Sequence, residues 1–116
     1  FLLARGAKPD IRDGAGNTPL IAATVIGFAE GADLLLKRGA QVDATNGQGE
    51  TPLILAVQAR DITMVRLLLA AGANPAKTDR ATGLSALEHA ARDNRAAVIL
   101  KLLQEAKPAK PVAGPR

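Results

Sequence analysis

The sequence predicts an all-α solenoid of short helix-turn-helix repeats, and three observations carry that prediction. The dipeptide Gly-Ala recurs at Gly6-Ala7, Gly39-Ala40 and Gly72-Ala73, a spacing of 33 residues each time. The tripeptide Thr-Pro-Leu recurs at Thr18-Pro19-Leu20 and Thr51-Pro52-Leu53 with the same 33-residue spacing. Self-similarity at a fixed period of a few tens of residues marks a stack of supersecondary units. The third observation is compositional: 47% of the 116 residues are apolar, yet Phe1 and Phe28 are the only aromatic ones. A core of Leu, Ile, Val and Ala suits close-packed helices better than a sandwich with large hydrophobic plugs.

Each period reads in the same order. It opens on Thr18, Thr51 or Ser85, whose hydroxyl can accept a hydrogen bond from a free amide of the helix that follows. Ser85-Ala86-Leu87 stands 34 residues after Thr51-Pro52-Leu53, because loop 79–84 is one residue longer than its predecessors. Surface loops absorb such insertions easily. Pro19 and Pro52 take the first helical position, where a fixed φ helps and a missing N–H costs nothing. First helices are predicted over 20–26, 53–59 and 87–92, followed by turns at Gly27, Arg60 and Asn94. Second helices then end in leucine clusters at 34–36, 67–69 and 102–103. Gly39 and Gly72 stand where a left-handed residue terminates the second helix. Segments 13–17 and 46–50 are predicted as hairpin-like loops, with Asp13, Asn46 and Asp79 bonding nearby backbone. The second helix of the first copy is the thinnest, since Gly31 and Ala32 stand where Met64-Val65 and Val98-Ile99 stand later. A mid-helix glycine costs about 1 kcal/mol, so Gly31→Ala is expected to raise the melting temperature.

On its period and its Thr-Pro-Leu sites, the chain from Leu2 to about Ala106 resembles the ankyrin-repeat family. The family's Thr-Pro-Leu-His-x-Ala signature departs at the histidine, which is Ile21, Ile54 and Glu88 here. Its Gly-His turn reads Gly27-Phe28, Arg60-Asp61 and Asn94-Arg95. Both departures are expected to weaken local hydrogen bonds. The expected organisation is one domain over 1–106, with a partial repeat at 1–7, repeats at about 8–40, 41–73 and 74–106, and a flexible basic Pro/Ala tail at 107–116. Phe1, Leu2 and Leu3 read as the end of a second helix, so the chain opens inside a repeat. In the last copy Lys101 replaces Leu34 and Leu67, and Gln104-Glu105 replace Ala70-Ala71, the polar outer face of a capping repeat. Leu100 stands against that pattern at the position of Arg66.

Composition and motifs argue against most chemistry. Lys107, Lys110 and Arg116 account for three units of the +4 formal charge, leaving 12 of the 15 basic residues against 11 acidic ones. A near-neutral body offers no dense phosphate-binding face, so no nucleic acid is expected. The tail cations, spaced by Pro and Ala, read as a solubilising linker. No apolar run approaches the roughly 20 residues that span a membrane. The absence of cysteine excludes disulfides and thiolate metal sites without choosing a compartment. His89 is the only histidine, and it reads as a packing residue because neighbouring Glu88 points to another side of the helix. Gly14-x-Gly16 and Gly47-x-Gly49 lack the strand and the lysine of a phosphate loop and read as turn glycines. No catalysis, cofactor, metal or small-molecule substrate is expected.

What remains is surface recognition. In proteins that this chain resembles, loop tips and first helices line up into one concave strip that binds partner proteins. Outside the signature, the strip offers Arg12, Ala15, Asn17, Val25 and Ile26 in the first copy, then Gln48, Glu50 and Gln58, then Arg80, Thr82, Leu84 and Arg92. Val25 and Ile26 stand out, since the matching sites are polar or small later; exposed apolar pairs often mark contacts, and the alternative reading is that residues preceding the chain cover them. Arg80 and Arg92 are the expected anchors for an acidic partner. With no Tyr or Trp, modest affinity and a monomeric state are expected. The second reading is a structural or self-association module that stabilises a neighbouring domain or subunit. The Ala-rich repeats and the Lys-Pro-Ala tail resemble bacterial sequences.

Overall fold

A computed structural model describes residues 11–106, so the partial repeat at 1–7 and the tail at 107–116 lie outside the described residues. Six helices follow one another: α1 (Pro19–Ile26), α2 (Ala29–Lys37), α3 (Pro52–Gln58), α4 (Ile62–Ala70), α5 (Ala86–Arg92) and α6 (Ala97–Glu105). The predicted start signals hold at all three first helices. Thr18 Oγ1 accepts from the Ile21 amide at 3.2 Å, Thr51 Oγ1 from Ile54 at 3.1 Å, and Ser85 Oγ from Glu88 at 3.2 Å. Gly39 and Gly72 are left-handed as expected, with φ of 96° and 94°.

Each first helix packs on the second helix of its own repeat, while α1, α3 and α5 stack in one layer and α2, α4 and α6 in another. The core runs between the layers through Leu20, Leu53, Ile54, Met64, Leu68, Ile99 and Leu103, each at most 2% exposed. Burying one such side chain stabilises by about 1.5–3 kcal/mol, which makes up for the low propensity of helices this short. Leu100, unassigned by the repeat pattern, is half-buried against this core. Lys101, Gln104 and Glu105 are exposed, as a capping repeat requires.

Two expectations need correction. The departure from the signature at Glu88 supplies a bond of its own, because the Glu88 carboxylate accepts from the Ser85 amide at 2.9 Å and completes a reciprocal capping box. The expected gain from Gly31→Ala meets an obstacle that the repeat pattern does not show. A Cβ at Gly31 would lie 2.4 Å from Cδ2 and 2.5 Å from Cε2 of Phe28, whose ring rests over the bare glycine. Phe28 begins α2 without any side-chain cap, whereas Asp61 at the matching site accepts from the Met64 amide at 3.1 Å. The first repeat has exchanged a cap for an aromatic cover.

Candidate partner-binding face

The loops form by the predicted chemistry. Asp13 Oδ1 accepts from the amides of Ala15 and Asn17, both at 2.9 Å, and Asn46 Oδ1 accepts from Gln48 at 2.9 Å and Glu50 at 3.0 Å. In the longer third loop Asp79 Oδ1 accepts from the amides of Thr82 at 2.6 Å and Gly83 at 3.1 Å. Successive loops are then tied to each other. The Gly47 amide donates to Ala15 O at 3.3 Å and the Arg80 amide to Gln48 O at 3.0 Å. These backbones approach so closely that a Cβ at Gly16 would meet Gly47 N at 2.8 Å, and one at Gly49 would meet Arg80 N at 2.9 Å. Both glycines also have positive φ, 83° and 79°, so side chains are excluded twice over.

This ladder assigns several expected contact residues to the loops themselves. The Arg12 guanidinium donates to Gly16 O at 2.9 Å and reaches across one repeat to Thr45 O. Arg80 makes the matching reach to Gly47 O, so its guanidinium is already engaged. Asn17 closes its turn through Asp13 Oδ2 at 3.4 Å, Glu50 accepts from Asn46 Nδ2 at 2.9 Å, and Thr82 Oγ1 donates to Asp79 at 2.7 Å. Leu84 is half-buried; Ala15 and Gln48 are exposed at the loop tips.

The remaining expected residues lie at the opposite ends of the first helices. Val25, Gln58 and Arg92 occupy matching positions on helices that pack in sequence, and all three are exposed. The expected strip therefore splits into two rows, loop tips and helix ends, about 10 Å apart along an eight-residue helix. Val25 is 63% and Ile26 75% exposed, with Phe28 at 49% beside them in the chain.

Between the carboxyl ends of α3 and α5 opens a cleft of about 480 Å³, lined by Val57, Gln58, His89, Arg92, Asp93, Asn94 and Arg95. Its carboxylate is held from outside: Asp93 accepts from Arg60 Nε at 2.8 Å and from Arg60 Nη2 at 3.4 Å, as well as from the Arg95 amide at 2.9 Å. These contacts, the Arg95 amide foremost and then Arg60, hold the Asp93 carboxyl below the usual carboxylate range. Arg60 reaches it from a left-handed backbone, φ 55°, where the first repeat has Gly27. Arg95 stands in the sequence only as the third copy of the turn position held by Phe28 and Asp61, and nothing in that pattern marks it as a contact residue.

His89 has a carboxylate partner after all, Asp79 at 3.0 Å, supplied by the long loop and not by its own helix. Burial pushes the Asp79 carboxyl up, but hydrogen bonds from His89, Thr82 and Gly83 outweigh it and bring the pKa to about 2. Thr82 Oγ1 lies 3.5 Å from the same ring nitrogen, Nε2. The cluster ties the long loop to α5. Among the described residues no group of three or more His, Asp or Glu converges as a metal site, and no helix is long and apolar enough to cross a membrane.

A family model for ankyrin repeats, in three copies, matches residues 1–79. That span takes in the first two helix pairs and ends where the long third loop begins, and the third pair repeats their geometry beyond it. No curated protein matches the chain.

Proposed function

The chain belongs to the ankyrin-repeat family, whose repeats are generally protein-protein interaction modules, and from that premise we propose that it binds a partner protein through the face of loop tips and first-helix ends. The observation that carries this reading is the exposure of Val25 and Ile26, 63% and 75%, at the end of α1. Contiguous apolar surface in water is unfavourable and marks a contact. Gln48 at a loop tip, with Gln58 and Arg92 at the helix ends, supplies the polar surround that such contacts use, and Ala15 adds a small exposed tip. Arg12, Asn17, Glu50, Arg80, Thr82 and Leu84 shape the face by fixing its loops.

The test is capture from a lysate of the source organism by the immobilised chain and by a Val25→Glu, Ile26→Glu variant. Both sites are exposed, so the variant is expected to fold, its helical circular dichroism unchanged. Loss of retained proteins by the variant is the expected result. Equal retention, together with concentration-dependent sedimentation of the chain alone, would support the self-association reading instead.

A further inference from the structure

The charge of the face assigns a chemistry to the partner, an inference that rests on the protein-binding reading. We propose that the cleft between α3 and α5 receives a carboxylate of an acidic partner segment, which also lays an apolar side chain on Val25 and Ile26.

Two arginines, Arg92 and Arg95, are among the residues that line the cleft, and both are exposed. The lining has one carboxylate, Asp93, and Arg60 has already claimed it from outside. The guanidinium of Arg92 has no hydrogen-bond or ion-pair partner among the described residues. A planar fork of donors matches a carboxylate in bidentate geometry, and a charge-assisted pair of that kind is stronger than a neutral hydrogen bond. Asp93 is shared between Arg60 and the charge of Arg95, so the cleft keeps an excess of positive charge, with the Arg92 guanidinium unmet among the described residues.

The repeat geometry adds a distance. Val25, Gln58 and Arg92 follow one another across packed helices, so the row reads apolar, polar, cationic. Neighbouring helices lie about 8–10 Å apart, which puts Val25 roughly 20 Å from Arg92. An extended chain covers that distance in about six residues. Nucleic acid fits the row less well. Sequence-independent binders of single strands stack bases on aromatic rings along a basic groove, and this cleft has no Phe, Tyr or Trp, its one ring being the imidazole of His89, which is bonded to Asp79.

The probe is a short capped Ser/Gly peptide carrying one Leu and, about six residues on, a Glu-Glu pair. It is titrated into the full chain while NMR follows the Nε–H signals of Arg92 and Arg95 and the methyl signals of Val25. Saturable shifts at all three sites are expected. Affinity should fall about tenfold or more when Glu-Glu becomes Gln-Gln, in the Arg92→Gln, Arg95→Gln variant, and at high salt. Equal binding of the Gln-Gln peptide, silence at both arginines, or tighter binding of a single-stranded oligonucleotide would overturn the proposal. If Val25→Glu, Ile26→Glu abolishes lysate capture while Arg92→Gln, Arg95→Gln changes neither capture nor peptide binding, the acidic assignment falls and the protein-binding reading stands. If neither variant alters capture, both fall.

Discussion

The first and third repeats follow one template and stabilise it by opposite means. In the first, loop closure rests on Asp13 at an exposed position, α2 starts without a side-chain cap, and an aromatic ring covers Gly31. In the third, the matching carboxylate is Asp79, 3% exposed and bonded to Thr82, Gly83 and His89, and the next helix opens on a full capping box. Asp13 is held low mainly by the backbone amide of Asn17. Asp79 must first overcome burial and does so with the added histidine. The extra loop residue that breaks the period is thus accompanied by a buried polar clamp. Where the repeat is regular, the side chain of Asp13 or Asn46 closes the turn within its own loop.

The comparison breaks most visibly at that clamp. Asp79→Ala would leave the Thr82 and Gly83 amides and the His89 ring without their acceptor, and breaking a buried ionic cluster of this kind costs about 3 kcal/mol. Chemical denaturation is expected to show that loss, with a clearly smaller one for Asp13→Ala. Equal losses would mean that burial of Asp79 adds nothing to the template.

Acid sharpens the same contrast. The Asp79 pKa is about 2 when folded against an ordinary value of 3.8, so the folded state binds fewer protons at this site. Its contribution is fully present above pH 4 or so and is lost as pH falls through the folded pKa. A depression of this size corresponds to about 2 kcal/mol. Melting followed from neutral pH down toward pH 2 should show that decline, and Asp79→Asn, with no carboxyl to protonate, should flatten it. A decline of the same size in the Asp79→Asn variant would assign the acid sensitivity elsewhere.

The sequence made the architecture legible because its signals are local. Thr18, Thr51 and Ser85 cap helices through amides three residues on, and Asn46 closes a turn within its own loop. Periodicity then fixes which residues become neighbours across the stack. The candidate face was legible only in part. Val25 and Ile26 could be chosen because the other copies carry only polar or small residues there. That Arg80 spends its guanidinium on Gly47 O, a repeat away, depends on a side-chain direction that no spacing reveals. The Asp79–His89 pair was hidden for a related reason: the inserted residue shifts the loop against the helix, so register arguments stop at that point.

The smallest expected effect concerns the first repeat and decides whether its aromatic cover is a true substitute for packing. Alanine in place of a mid-helix glycine gains about 1 kcal/mol when nothing opposes it. Here the new methyl must displace the Phe28 ring, which is itself half exposed and gains its seat from the absence of that methyl. Gly31→Ala alone is therefore expected to yield no stabilisation. In a Phe28→Ala background the same change should recover about 1 kcal/mol, a coupling that a double-mutant cycle measures directly. An equal gain in both backgrounds would show that the ring swings aside at no cost. The first repeat would then be held by its Thr18 cap and buried leucines, with Phe28 left as one more exposed apolar group beside Val25 and Ile26.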